Sequence, residues 1–168
     1  MRKLFNLIQK AQTSKIALWL LNYVMNQAVP FNKPHRFKVI SVTPDCAQTF
    51  APYHKKNFNH VRGIHACSIA TVGELAAGLI LMANFSPKEY RVIMSRIEID
   101  YHYQAKKDIV ATAKLNTADK EDILQALTKD NKTTQMVITK INDKDNTPIA
   151  TVKTTWQIKK WGDVKTKL

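Results

Sequence analysis

The sequence predicts an α+β domain in which an antiparallel sheet wraps around one long buried helix. The segment from His65 to Ala83 is apolar on nearly every side, which is typical of a helix enclosed by protein. The residues that follow it alternate between apolar and polar, as strands with one buried face do. Shorter strand-like segments precede it, so the helix would lie between a hairpin and a longer run of strands.

The size and composition fit one globular domain. The chain has 168 residues, of which 45% are hydrophobic and 23% charged, enough to bury a core without disulfides or metals. We expect an N-terminal helix and linker over residues 1–34, the sheet domain over residues 35–161, and a basic, frayed tail over residues 162–168.

The net charge is strongly positive and is concentrated in the first part of the chain. Lys and Arg number 26 against 13 acids, giving +13, and Asp45 is the only acid before Cys67. Such a field favours an anionic partner, although it can equally serve solubility alone. No basic run interleaved with aromatic residues resembles a nucleic-acid module, so we expect no nucleic-acid partner.

The two cysteines, Cys46 and Cys67, fall in different predicted elements and lack the spacing of a zinc site or a disulfide framework. We therefore expect reduced cysteines, a cytoplasmic protein, and no metal or cofactor.

The N-terminal segment predicts one amphipathic helix from Lys3 to about Gln27, followed by a linker broken by Pro30 and Pro34. Polar residues interrupt the stretch, no cleavage site follows it, and its apolar run is far shorter than the ~20 residues that cross a bilayer. We expect neither a signal peptide nor an integral membrane segment. A peripheral membrane contact by this helix stays open.

A hairpin is predicted next, with strands over Arg36 to Val42 and Ala47 to Tyr53 around a Pro44-Asp45 turn. A polar, basic loop from His54 to Ile64 leads into the long helix. Gly73, Glu74 and Gly78 within that helix favour a protein core over a membrane span.

The remaining chain predicts strands and one short helix. The first strand places Ile93, Ile97, Ile99 and Tyr101 on one face, and Arg96, Glu98, Asp100 and His102 on the other. The segments in order are strands Tyr90 to Tyr103 and Ile109 to Leu115, a helix over Ala118 to Leu127, and a hairpin of Thr133 to Ile141 with Ile149 to Trp161. This order of elements describes the hotdog architecture, whose exposed sheet edge leads us to expect a homodimer or homotetramer.

Glu74 is the strongest candidate for a reactive residue. It is the only acid between Asp45 and Glu89 and lies in the middle of the apolar helix, with Ala70, Thr71, Ala77 and Gly78 as helical neighbours. Burial should raise its pKa, and perturbed carboxylates cluster at functional sites. The alternative is that Glu74 lies at a wet dimer seam or bonds to a loop.

The loop before the helix supplies further candidates: Asn59, His60, Gly63 and His65. The first-turn amides of the helix, starting at Ala66, lack partners within the helix and could bind a carbonyl oxygen. His65 and Glu74 lie nine positions apart, about 13.5 Å along a straight helix, so they would meet only across a two-fold interface. His65 could instead only cap the helix.

The spacing of Asn59, His65-Ala66 and Glu74 resembles that of acyl-CoA thioesterases of the hotdog superfamily, and the segment from His65 to Gly78 resembles a subgroup of uncharacterised hotdog proteins assigned to thioester hydrolysis. The resemblance implies that Glu74 acts as a general base for water or as a nucleophile, with an acyl-CoA as substrate. It implies that the Ala66 N–H polarises the thioester carbonyl, while Asn59 and His65 orient the water or the loop. Substrate contacts would come from His60, Gly63, Cys67 and Thr71.

This chain departs from the family pattern in two places. Ala66-Cys67 stands where two glycines are usual, and Glu74 replaces the commoner Asp. A rival pattern, His60-x-x-Gly63 followed by Glu74, resembles hydroxyacyl-thioester dehydratases but lacks the prolines of their loop. A non-catalytic acyl-CoA or lipid-binding dimer is a third possibility. Cys67 beside His65 suggests a Cys/His nucleophile, but we favour a small apolar Cys on a buried helix.

Overall fold

The structure is a computed structural model that describes residues 2–164, apart from the side chain of Arg2. The helices are α1 (Arg2–Ala11), α2 (Lys15–Ala28), α3 (Ala66–Asn84) and α4 (Thr117–Asp130). The strands are β1 (Lys38–Val42), β2 (Cys46–Ala51), β3 (Tyr90–Tyr101), β4 (Ile109–Lys114), β5 (Lys132–Asp143) and β6 (Pro148–Lys160). Short 3-10 helices cover Pro30–His35, Lys55–Asn57 and Trp161–Asp163.

The six strands form one antiparallel sheet in the order β1-β2-β4-β5-β6-β3, and its inner face curves around α3. This is the predicted hotdog architecture. Helix α3 is long and apolar enough to cross a membrane by composition, but most of its residues are buried against the sheet. Its apolar surface therefore belongs to the protein core.

Helix α3 approaches the sheet closely just before Glu74. A Cβ atom added to Gly73 would lie 2.7 Å from Val152 Cγ2, so only glycine fits this contact without a shift. The buried hydroxyls of Thr49 and Thr139 donate to the carbonyls of Val72 and Gly73, at 2.6 and 3.3 Å. These bonds, made where water is excluded, fix the rotation and height of the helix at Glu74.

The single N-terminal helix predicted from Lys3 to Gln27 is wrong, because the chain forms two helices with a break before Ser14. Ser14 has extended backbone angles, and its hydroxyl accepts a hydrogen bond from Ala17 N–H at 3.2 Å, which starts α2 as an N-cap. Helix α1 is anchored separately, since Gln9 Nε2 donates to Ala83 O at 2.7 Å. The apolar periodicity continued across the break and hid the cap.

The segment predicted as a linker around Pro30 and Pro34 is instead a 3-10 helix. Pro30 occupies its first position, where a missing N–H costs nothing. The helix buries the polar side chain of Asn32, and the ring of His35 stacks on Phe37 at a centroid distance of 5.3 Å. This segment is thus part of the folded domain.

One face assignment in β3 is also wrong. Ile97 and Ile99 pair with Thr154 and Val152 on the inner side of the sheet, but Ile93 pairs with Gln157 on the outer side and is 46% exposed. The register shifts between Met94 and Arg96, and a bulge of this kind reverses the alternation. A strict period of two cannot reveal such an extra residue.

The other predicted elements are confirmed, with small changes in their ends. Helix α4 is longer than predicted, since Asn116 caps it by accepting from Asp119 N–H at 2.8 Å and Asn131 ends it in the left-handed conformation. Of the predicted tail, residues 165–168 lie outside the described residues.

Candidate active site

The start of α3 is shaped by His65. Its backbone is extended, and its Nδ1 accepts a hydrogen bond from Cys67 N–H at 3.0 Å, so His65 is the N-cap of the helix. Within residues 2–164, the N–H of Ala66 has no hydrogen-bond acceptor. The helix therefore presents one free amide donor at its positive end, as required for binding a carbonyl oxygen.

Asn59 orders the loop that leads into this helix. Its Oδ1 accepts from Val61 N–H at 3.1 Å and from Gly63 N–H at 2.8 Å, and its backbone N–H donates to Gly63 O. Arg62 at the tip adopts a positive φ of 57°. The side-chain Oδ1 of Asn59 is therefore used in bonds to the loop. The side-chain Nδ2 is the group left to donate to a substrate or water.

Gly63 is buried under the side chain of Gln104. A Cβ atom at Gly63 would lie 2.8 Å from Gln104 Cγ, while Gln104 Nε2 donates to Val61 O at 3.4 Å. A larger residue at position 63 would push Gln104 away from the loop.

Asn57, which sequence reasoning missed, holds the loop to the N-terminal segment. It is fully buried, and its Nδ2 donates to His35 O at 3.0 Å and to Pro52 O at 2.9 Å. Its Oδ1 lies 2.8 Å from His35 Nδ1, and its backbone carbonyl accepts from His65 N–H at 2.7 Å. The side chain and backbone of this one residue therefore join the segment after β2, the first 3-10 helix and the start of α3.

A cleft of about 310 Å³, which we call the helix-start cleft, opens beside the Ala66 amide. Tyr101 forms one wall, and its hydroxyl donates to Ala66 O at 3.3 Å. Burial raises the pKa of Tyr101, with a smaller electrostatic contribution from Cys67, so Tyr101 stays a neutral donor at physiological pH. The full lining is Asn59, Ile64, Ala66, Ile69, Tyr101, His102, Tyr103, Gln104 and Ala105.

Glu74 lies in a different cleft, of about 440 Å³, which we call the Glu74 cleft. The surround is mainly apolar and comes from α2, the first 3-10 helix, α3, β3 and β6. The lining residues are Met25, Val29, Phe31, Asn32, Thr71, Glu74, Leu75, Gly78, Met82, Val92 and Trp156. A carboxyl group on an apolar wall is a common arrangement in sites that bind small molecules.

Burial raises the pKa of Glu74 above the ordinary value for a glutamic acid. None of the ion pairs found within residues 2–164 involves Glu74, so no cation offsets this cost. The neighbouring Thr71 hydroxyl donates within the helix, to Cys67 O at 2.8 Å. Glu74 is therefore a carboxyl group whose proton affinity is increased, as suits a base.

Asn32 is the second polar side chain that sequence reasoning missed. It is 5% exposed and lines the Glu74 cleft, and within the described residues its Oδ1 has no hydrogen-bond partner. A buried acceptor without a donor costs free energy, and such groups are rare unless a ligand or water satisfies them. No motif marked it, because it lies in the segment that was predicted as a linker.

Within one chain the structure brings together only some of the predicted site residues. Glu74 and Thr71 share one cleft, while Asn59 and Ala66 line the other. His60 lies exposed on the loop. His65 is also exposed and is used as a cap.

The preference for Cys67 as a buried apolar residue is wrong, because this free thiol is exposed on the first turn of α3. Within the described residues, no group of three His, Cys, Asp or Glu side chains could hold a metal.

A larger cavity, of about 1010 Å³, lies on the outer face of the sheet, away from these residues. Its floor includes the exposed side chains of Met136 and Ile138 of β5. Helix α3 and Glu74 lie on the opposite face of the sheet, so this cavity is separate from both clefts.

Comparisons with known proteins agree with the fold. The profile of the DUF4442 family, described as a domain of unknown function, matches residues 17–158. No protein with curated annotation matches the chain. Solved structures similar to it in fold include three with identities of 10% to 17%, which show the fold alone.

A Pseudomonas aeruginosa protein of unknown function, described as a "probable thioesterase", has a TM-score of 0.78 and 17% identity over 84% of this chain and 95% of its own. A protein of unknown function from Chlorobaculum tepidum has a TM-score of 0.74 and 12% identity over 90% and 99% of the two chains. A glutamine-to-alanine variant of a thioesterase from Pseudomonas aeruginosa has a TM-score of 0.69 and 10% identity over 89% and 99%.

Proposed function

Because the chain belongs to the DUF4442 family and has the hotdog fold, we propose that it hydrolyses the thioester of an acyl-coenzyme A. The observation that carries the proposal is Glu74, a carboxyl group with a raised pKa on the apolar wall of a cleft. The apolar lining suits an acyl chain. The net charge of +13 suits the phosphates of coenzyme A.

In the proposed reaction, the Glu74 carboxylate takes a proton from a water molecule as that water attacks the thioester carbonyl carbon. The carbonyl oxygen becomes negatively charged and is stabilised by the free N–H of Ala66 at the start of α3. The tetrahedral intermediate then expels the thiolate, which takes up a proton to become the free thiol. The products are a carboxylic acid and coenzyme A.

The two groups that act on the carbonyl would come from different copies of the chain. Ala66 and Glu74 lie eight positions apart on one straight helix, which is about 12 Å along its axis. One carbonyl cannot contact both across that distance. A two-fold arrangement would place the Ala66 amide of one copy against Glu74 of the other, giving two equivalent sites per dimer.

The edge strand β3 is our proposed dimer contact. It has 12 residues, pairs with β6 on one side only, and lies at the end of the strand order. Edge strands of this length present unpaired N–H and C=O groups to other chains. We expect at least a dimer by light scattering at micromolar protein. A strictly monomeric protein would contradict the shared site.

Asn32 supplies an independent prediction within the same cleft. A water that donates one hydrogen to Glu74 and the other to Asn32 Oδ1 keeps a lone pair free to attack the carbonyl. We expect Asn32→Leu to lower kcat by about tenfold to a hundredfold with little change in KM, since positioning is lost. Met25→Leu, which changes the same wall without a polar group, should leave kcat close to that of the wild type.

The direct test is release of free thiol from short-, medium- and long-chain acyl-CoA substrates. Turnover on at least one chain length would support the proposal. Absence of turnover on all of them would contradict it. Hydration of an enoyl thioester would favour the dehydratase alternative. Saturable binding of acyl-CoA without turnover would favour the non-catalytic alternative.

We also place this activity in the cytoplasm, where thiols are kept reduced. Cys46 and Cys67 are both free, and Cys67 is exposed beside the helix-start cleft, so an oxidising compartment would leave it open to modification.

A further inference from the structure

Helix α2 is apolar on two opposite sides. Its inner side packs on the domain through the buried residues Ala17, Leu21 and Met25. The outer side carries a second apolar row at helical spacing, which we call the outer stripe. The stripe consists of Ile16, Trp19, Leu20 and Tyr23, which are 80%, 68%, 41% and 57% exposed. The rings of Trp19 and Tyr23 stack along it at a centroid distance of 6.3 Å.

The segments around the outer stripe are positively charged. Residues 1–44 contain seven Lys and Arg residues and no Asp or Glu. The first acid, Asp45, is already paired with Lys120. The exposed cations nearest in sequence to the stripe are Lys10, Lys15, Lys33, Arg36 and Lys38. Apolar and aromatic side chains flanked in sequence by cations match the composition of helices that lie in a membrane interface.

We propose that the outer stripe of α2 docks on the surface of an anionic lipid membrane, with the helix lying parallel to the surface. Ile16 and Leu20 would enter the boundary between headgroups and acyl chains. Trp19 and Tyr23 would lie at the level of the headgroups, where such rings are enriched. The Lys and Arg side chains of the flanking segments would contact the anionic headgroups.

Two other occupants fit the stripe less well. A second copy of the chain would bring the same acid-free, cationic segment against itself, so like charges would face each other. A nucleic acid would attract the cations but would leave the aliphatic Ile16 and Leu20 without a partner.

The position of α2 links membrane docking to the access of ligands to the Glu74 cleft. Its inner residue Met25 lines the Glu74 cleft, together with Val29 and the 58% exposed Phe31 that follow the helix. A membrane bound to the outer stripe would therefore lie beside this wall of the cleft. An apolar ligand could pass between bilayer and cleft along the α2 side.

The test uses the full chain and vesicles of phosphatidylcholine, with or without phosphatidylglycerol, in a sedimentation assay. We expect binding to the anionic vesicles, weak binding to the neutral ones, and a loss of binding as salt is added. The double substitution W19S/Y23S should weaken binding to anionic vesicles by roughly tenfold or more, since it removes the largest apolar side chains of the stripe.

The matched control is M136S/I138S, which removes two exposed apolar side chains from the outer face of β5 and should bind vesicles like the wild type. Equal binding of wild type to neutral and anionic vesicles, or undiminished binding of W19S/Y23S, would overturn the proposal. So would a W19S/Y23S protein that is smaller by light scattering than the wild type, because that result would make the stripe an interface between copies. Thermal unfolding of each variant confirms that the fold is retained.

Discussion

Glu74→Gln is expected to reduce thioester hydrolysis by about 10²- to 10⁴-fold, the usual contribution of a positioned general base. Glutamine has nearly the same shape as glutamate but cannot accept the proton from water. Because Glu74 is not a partner in the ion pairs found within residues 2–164, its replacement should leave the domain folded. The measurement is kcat/KM for free-thiol release on the best acyl-CoA substrate.

The same substitution should also change the dependence on pH. The reaction needs the carboxylate, so wild-type activity should fall as pH is lowered through the pKa of Glu74. Burial raises that pKa, so the midpoint should lie above the ordinary range for a glutamic acid. Any residual activity of Glu74→Gln should lack this midpoint.

The raised pKa also bears on stability. Above the pKa that Glu74 has in the unfolded chain, its ionised form is less favourable in the folded protein than in the unfolded one. The Glu74→Gln variant should therefore be no less stable than wild type at neutral pH.

The control for this experiment is Glu89→Gln, which removes an exposed carboxylate before β3. It should keep full activity. Equal turnover of wild type and Glu74→Gln would show that another group activates the water. A loss of activity accompanied by loss of the fold would assign Glu74 a structural role.

Asn57→Leu is expected to destabilise the domain by about 3 kcal/mol, because it leaves several buried polar groups without partners. The backbone carbonyls of His35 and Pro52 would each lose a donor, and His35 Nδ1 would lose its neighbour. The variant should show a lower midpoint in urea with a similar slope, since the folded and unfolded surfaces change little.

A matched control is Asn6→Leu on the exposed side of α1, which should change the free energy of unfolding by less than about 0.5 kcal/mol. If Asn57→Leu were equally mild, the loop would not depend on these bonds. If the loop does depend on them, the variant should also lose catalytic activity at temperatures where it is still folded. The side-chain bonds position residue 57, whose backbone carbonyl accepts from His65 N–H at the start of α3.

The sequence was sufficient to predict the central helix, the sheet and the position of Glu74. A helix enclosed by protein is apolar on all sides, and strands with one buried face alternate between apolar and polar residues. Both patterns can therefore be recognised in the sequence alone. His65 at the helix start followed from the same reasoning, because the cap lies directly before the apolar run.

Other features could not be predicted, since their cause lies in residues distant along the chain. The bulge at Ser95 is defined by its pairing with β6, and nothing local marks it. Asn32 is part of the Glu74 cleft only because the first 3-10 helix and α3, which are distant along the chain, line the same cleft. Asn57 has the composition of an ordinary loop residue, and its importance lies in bonds to His35 and Pro52 that appear only in three dimensions.

Because the chain breaks before Ser14, the rotation of α1 about its axis does not determine the rotation of α2. Successive side chains of a helix point about 100° apart around its axis. In one continuous helix, a residue inserted near Leu4 would therefore rotate the side chains before it away from their contacts. Here α1 is anchored through Gln9 to the end of α3, while α2 is anchored through Asn22, which bonds to both backbone groups of Val39. An insertion or deletion at Thr13 would therefore change only the length of the break between α1 and α2. The chain can vary there without rotating either the wall of the Glu74 cleft or the outer stripe.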